Sequence, residues 1–147
     1  MFWFDKQDAR ALYVDKRRET VRLTDNGKER VLDIAPDVQA DFTALPFPSD
    51  SFEHVIFDPP HYKRNGATSW MGMKYGTLRG DWREMLRQGF AECFRVLRPG
   101  GTLIFKWNED EVPVVEILKL TPERPLYGHK SGRLNKTHWC AFLKQNK

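Results

Sequence analysis

Apolar positions along this chain fall into short runs punctuated by acidic residues, Gly and Pro. Phe2–Phe4 and Ala11–Val14 are two such runs, closed by Asp5 and Asp15. Val21–Thr24 and Arg30–Ile34 flank Asp25-Asn26-Gly27, a hairpin signal because Asn-Gly tolerates the positive φ of a tight turn. His54–Phe57 reads as a short buried strand, stopped by Asp58-Pro59-Pro60, which cannot continue a ladder. Residues 61–80 are Gly-rich and read as irregular. Asp81 then offers an N-cap with Glu84 at the capping-box spacing. Trp82, Leu86, Phe90, Cys93 and Leu97 recur at three- and four-residue intervals, so they share one helical face. Pro99-Gly100-Gly101 closes that helix, Thr102–Trp107 is a second buried strand, and Pro113–Leu120 fits a short helix. Two last strand-like runs, Leu126–His129 and Thr137–Leu143, flank a basic turn. Strand, helix, strand, helix and a final hairpin predict an α/β fold, its sheet mainly parallel with an antiparallel edge.

At 147 residues the chain has room for one domain, expected to run over residues 1–147. Hydrophobic residues make up 40%, with five Trp and ten Phe, which excludes a disordered or fibrous chain. Apolar runs stop short of the ~20 residues of a membrane span, so no membrane role is expected. The start of the chain lacks the cationic and apolar regions of a secretory signal. Cys93 and Cys140 are the only cysteines, fitting free thiols in a reducing cytoplasm, with no Cys/His spacing for a metal. The net charge of +4 is uneven. Residues 1–57 carry eight Lys and Arg against eleven Asp and Glu, whereas residues 124–147 carry six Lys and Arg and no acid. That asymmetry suggests either a polyanionic partner near the C-terminal end or a solvated basic edge.

Ligands of open parallel sheets bind outside the carboxyl ends of the strands. The residues in that position are Asp5, Asp15, Asp41-Phe42, Asp58-Pro59-Pro60-His61 and Trp107-Asn108-Glu109. Carboxylates there suit a ligand rich in hydroxyl or amino donors.

Two stretches carry a family resemblance. Asp41-Phe42-Thr43-Ala44-Leu45-Pro46-Phe47-Pro48, with Ser51-Phe52-Glu53, resembles the third motif of class I S-adenosylmethionine-dependent methyltransferases. Phe90-Ala91-Glu92-Cys93-Phe94 followed by Arg95-Val96-Leu97-Arg98-Pro99-Gly100-Gly101-Thr102-Leu103 resembles the helix, turn and fifth strand of that superfamily. The whole chain is similar to small methyltransferases of bacteriophages and prophages, often described as DNA methylases. The resemblance implies a truncated Rossmann-like sheet with an antiparallel C-terminal hairpin, and S-adenosylmethionine as cofactor. It implies that Asp41 accepts from the adenine amino group, while the Phe42 N–H and ring meet the adenine. Asp58-Pro59-Pro60-His61 resembles the (Asp/Asn/Ser)-Pro-Pro-(Tyr/Phe/Trp) motif of enzymes that methylate exocyclic or amide nitrogens. Asp58, also expected beside the cofactor, and the Pro59 carbonyl would accept the two amino hydrogens. Pro59 and Pro60 would stiffen the backbone that aims this carbonyl.

The chain departs from the family pattern at two places. His61 stands where an aromatic usually stacks on the target base, so Tyr62 is a candidate to take over that face. No Gly precedes Gly27, so the Gly-rich turn that normally meets the cofactor after the first strand is missing. Only forty residues precede Asp41, too few for two strand–helix–strand units of ~30 residues. The early helices are therefore expected to be missing or replaced by the hairpin. Phe4, Asp5 and Asp15 then become candidates for an unusual cofactor pocket, and a sheet face without helical cover points to a homodimer.

Residues 61–80 form the expected substrate loop, where Tyr62, Lys63, Arg64, Trp70 and Lys74 combine cations with rings that can stack a base. Lys130, Arg133 and Lys136 add a second basic strip. These features favour an amino group of a nucleic-acid base as acceptor, with DNA ahead of RNA and adenine ahead of cytosine. Two alternatives stay open: a non-catalytic nucleic-acid-binding or subunit protein with a degenerate methyltransferase fold, and a methyltransferase for protein amides.

Overall fold

The computed structural model describes residues 3–64 and 70–146. Phe2 of the first apolar run, and residues 65–69 of the expected substrate loop, lie outside the described residues. The chain forms two compact units, Met1–Phe42 and Thr43–Lys147.

In the first unit, β1 (Val14–Asp15) pairs in parallel with a later strand, while β2 (Glu19–Asp25) and β3 (Lys28–Ile34) form the expected hairpin. Asn26 and Gly27 take φ values of 50° and 75°, the left-handed pair that a two-residue turn between twisted strands demands. The parallel partner of β1 is β4 (Val38–Gln39), with Val14 opposite Val38 and Asp15 opposite Gln39. Trp3 and Phe4 are not in a strand, and Ala11–Val14 contributes only its last residue to one. No helix occurs among the described residues of this unit, as expected from its length.

The second unit is built on a four-stranded mixed sheet. β5 (Phe52–Phe57) leads through α1 (Trp70–Tyr75) and α2 (Trp82–Val96) into β6 (Leu97–Asn108). After α3 (Val114–Leu118), β7 (Tyr127–Ser131) and β8 (Thr137–Leu143) form a hairpin, joined through a short 3-10 turn at Arg133–Asn135. The strand order is β5-β6-β8-β7, with β5 parallel to β6 and β8 antiparallel to both its neighbours. The reversed strand is therefore internal, where a reversed edge was expected. β8 carries Cys140, Ala141 and Phe142, all buried, and so belongs inside the sheet. β7 is polar and almost wholly exposed, as suits an edge.

Helix α2 follows its sequence pattern closely. Asp81 accepts from the Glu84 N–H at 3.1 Å, and Trp82, Leu86, Phe90 and Cys93 are buried. It ends at Val96, so Leu97 already belongs to β6, where it pairs with Phe52. Residues 61–80 are not wholly irregular, because α1 forms before Gly76. Gly76, at φ 74°, donates its N–H to the Gly72 carbonyl at 2.9 Å and closes that helix. Arg95 binds the carbonyls of Leu45 (3.0 Å) and Phe47 (2.8 Å), while Glu92 accepts from the Leu45 N–H at 2.7 Å. The two stretches that carry the family resemblance thus meet directly across residues 43–147.

Gly101 marks the tightest approach in this assembly. A Cβ there would lie 2.8 Å from the carbonyl oxygens of Arg98 and Glu53 and from Leu97 Cδ1. Gly101→Ala is expected to lower unfolding free energy by about 1–3 kcal/mol, since backbone must move to admit the methyl. Chemical denaturation measures this, and wild-type stability would contradict so close a crossing of β5 and β6.

Candidate functional site

The parallel register of β5 and β6 assembles the site. Phe57 lies opposite Phe105, so the next residues, Asp58 and Lys106, stand side by side where β5 ends, two residues before the end of β6. Lys106 Nζ donates to Asp58 Oδ2 at 2.9 Å, with the two side chains only 20% and 31% exposed. Trp139 of β8 stands opposite Lys106, its ring centroid 5.8 Å from Nζ. Lys106 is the one charge in the apolar run Leu103-Ile104-Phe105-Lys106-Trp107, and that is the signal in the sequence that marks it.

Pro59 is buried, and Pro60 Cγ lies 3.1 Å from where a Cβ on Gly76 would stand, so this turn packs against the end of α1. His61 is buried in an aromatic cluster, with ring centroids 4.3 Å from Tyr62, 6.1 Å from Trp107 and 6.4 Å from Tyr75. Burial lowers its pKa most. Asp58 and the Pro59 backbone oppose that shift, while Lys106 adds to it. Tyr62 is half-buried, and its phenol is raised, first by burial and then by Asp110, Tyr75 and Glu111.

The expected substrate cations have mixed fates. The backbone N–H groups of Lys63 and Arg64 donate to Glu111 Oε2 at 2.8 and 3.1 Å, leaving both side chains exposed. Lys63 Nζ stands 5.6 Å from the Trp82 ring, and Lys74 Nζ lies 5.9 and 5.1 Å from those of Trp70 and Tyr75. Lys136 is ion-paired with Asp110, and Lys130 lies 3.9 Å from Glu109. The tail is thus less available to a polyanion than its charge implies. Arg133 is exposed on the hairpin turn. Glu109 also meets His138 Nε2 at 2.7 Å and caps α3 at the Val114 N–H, and the His138 contact is the main reason its carboxyl is held below the ordinary glutamate value.

Within the first unit, parallel pairing puts Asp15 and Asp41 at the same end of β1 and β4. Asp15 is committed to Arg17, accepting from its N–H at 2.8 Å and from Nε and Nη2 at 3.1 Å each. Asp5 accepts from the Gln7 N–H at 2.8 Å, and Phe4 is fully exposed. Of the five residues expected at the cofactor in this unit, only Asp41 and Phe42 are half-buried just past a parallel strand. No group of three or more His, Cys, Asp or Glu among the described residues is placed to hold a metal ion. The Cys93 thiol, pushed up to about 12 by burial, is no nucleophile. No helix of the described residues is long and apolar enough to cross a membrane.

No family model and no curated protein matches the sequence. Among solved structures, the chain is similar to a protein from Thermus thermophilus provisionally described as a DNA modification methylase. In one crystal structure of that protein the identity is 17% over 74% of this chain and 52% of that one, with a TM-score of 0.49. In its selenomethionine form the values are 19%, 69%, 50% and 0.48. The PH0226 protein from Pyrococcus horikoshii is 17% identical over 72% of this chain and 57% of its own, with a TM-score of 0.48. The chain spans about half the length of these proteins.

His61 carries a pH signature. Its pKa lies below the ordinary histidine value of 6.5, so the unfolded chain binds the proton more readily than the folded one. The stability it contributes is therefore complete above about pH 6.5 and is lost as pH falls through the folded value. The melting temperature should drop between about pH 7 and pH 5, and drop less in His61→Phe. Equal slopes for both proteins would contradict a desolvated imidazole.

Proposed function

We propose that this chain is an S-adenosylmethionine-dependent N-methyltransferase of truncated Rossmann-like, class I type. Its acceptor is an amino group of a nucleic-acid base, adenine in DNA ahead of cytosine or RNA. The observation that carries this reading is Asp58-Pro59-Pro60-His61 at the carboxyl end of a parallel strand, with Asp58 clamped by Lys106 at 2.9 Å.

An aromatic amine is a poor nucleophile because its lone pair is drawn into the ring. Asp58 Oδ1 and the Pro59 carbonyl would accept its two hydrogens and leave the lone pair localised. Lys106 holds Oδ2 and thereby stops the carboxylate from rotating, which is catalysis by positioning. His61 is buried, so the half-buried Tyr62 ring is the one left to stack on the base. Asp41 and Phe42 would hold the adenosine end of the cofactor, which supplies an electrophilic methyl group when bound. Once methylated, the amino group would shed one proton, and Asp58 Oδ1, already its proposed hydrogen-bond acceptor, would receive it.

A second reading, nucleic-acid binding without catalysis, draws on the same contacts. Asp58, the first proposed acceptor, already has Lys106 as a partner inside the chain. A protein-amide acceptor is the third, since the two acceptors fit an amide nitrogen equally well.

Transfer of labelled methyl groups from S-adenosylmethionine onto DNA, RNA and protein separates these readings. Asp58→Ala should lower transfer to DNA by about 100-fold or more, the usual cost of one preorganised hydrogen-bonding group. Transfer to protein alone would favour the amide reading, and nucleic-acid binding with no transfer would favour the non-catalytic one.

A further inference from the structure

The turn between β7 and β8 presents one large apolar side chain to solvent in a basic setting. Leu134 is 77% exposed, between Arg133 and a backbone that stays left-handed for two residues, with φ of 63° at Leu134 and 52° at Asn135. Leucine rarely adopts that conformation, and an exposed leucine gains nothing by burial.

The turn is braced from below. Trp139 Nε1 donates to Ser131 Oγ at 3.0 Å, Asn108 Nδ2 to Thr137 Oγ1 at 3.2 Å, and the Glu109 N–H to the Lys136 carbonyl at 2.9 Å. Lys136 is paired with Asp110, and a Cβ on Gly132 would meet Thr137 Oγ1 at 3.0 Å, so the base of the turn is closely fitted.

Its direction follows from register. Thr137, the first residue of β8, pairs with Asn108, the last of β6. The turn therefore projects beyond the carboxyl ends of β5 and β6, the edge that carries Asp58 and Lys106. Strand spacing sets the hairpin about 12 Å across the sheet from Asp58. That is of the order of the major-groove width of B-DNA, ~12 Å, across which a base leaving the stack would swing.

We infer that Leu134 is a wedge that enters a base step of duplex DNA, with Arg133 beside it on a phosphate, while the extruded base reaches Asp58. This rests on the proposed nucleic-acid substrate and makes that substrate double-stranded, because a single strand needs no wedge.

A wedge unwinds DNA whatever the target sequence, so plasmid topology reads it without knowledge of the site. Closed-circular plasmid relaxed by topoisomerase I in the presence of the wild-type chain should emerge negatively supercoiled. Leu134→Asn removes the apolar side chain but suits the left-handed backbone, so it should melt no lower than wild type. It should bind the plasmid within about threefold of wild type, yet leave it relaxed. An unwinding effect that survives Leu134→Asn, or wild-type chain bound without unwinding, overturns the wedge. Labelled methyl transfer to the same DNA, native and heat-denatured, separates the two claims. Transfer without unwinding sinks the wedge and leaves the methyltransferase; unwinding without transfer does the reverse. With both intact, Leu134→Asn should lower transfer to native DNA by about tenfold or more and spare denatured DNA.

Discussion

The parallel pairing of β5 with β6 is the constraint from which the rest of the second unit follows. Its register, Phe57 opposite Phe105, delivers Asp58 and Lys106 to the same point in space from positions 48 residues apart. The crossover through α2 makes that pairing possible, and Gly101 makes it close. Arg95 and Glu92 then fasten the segment ahead of β5 to the same helix. An ion pair left half-buried here is a modest source of stability, since desolvation offsets much of its Coulomb energy. Its value is directional: one carboxylate oxygen is fixed, and the other is aimed.

A second junction lies just past β6. Glu109, Asp110 and Glu111 each receive a different part of the chain: the hairpin through His138 and Lys130, Lys136, and the backbone of the loop after Asp58. The acidic turn therefore orders both basic segments around the proposed site while neutralising part of their charge. Lys63, Arg64 and Arg133 stay exposed at the surface, where a polyanion can reach them.

Local chemistry was legible in the sequence wherever a rule acts over a few residues. The period of Trp82, Leu86, Phe90 and Cys93 gave the helix, Asn26-Gly27 the turn, and Asp58-Pro59-Pro60 the end of a strand. Non-local facts were not. The Asp58–Lys106 contact depends on sheet register, which no spacing within either strand reveals. The inward place of β8 depends on a comparison of its apolar content with that of β7. The short helix before Gly76 was hidden by its glycines, although Gly76 is itself the expected stop signal. Among the cofactor candidates, Asp15 looked available in the sequence, yet its neighbour Arg17 already claims both its oxygens.

The claim on which this account turns is that Lys106 acts through Asp58. A double-substitution cycle on labelled methyl transfer tests it directly. Lys106→Met should lower kcat by about tenfold or more with Asp58 in place, with little change in KM for the cofactor. In the Asp58→Asn background, where no carboxylate remains to be held, the same Lys106→Met change should cost about twofold or less. An equal loss in both backgrounds would show that Lys106 works independently of Asp58, and would contradict the clamp.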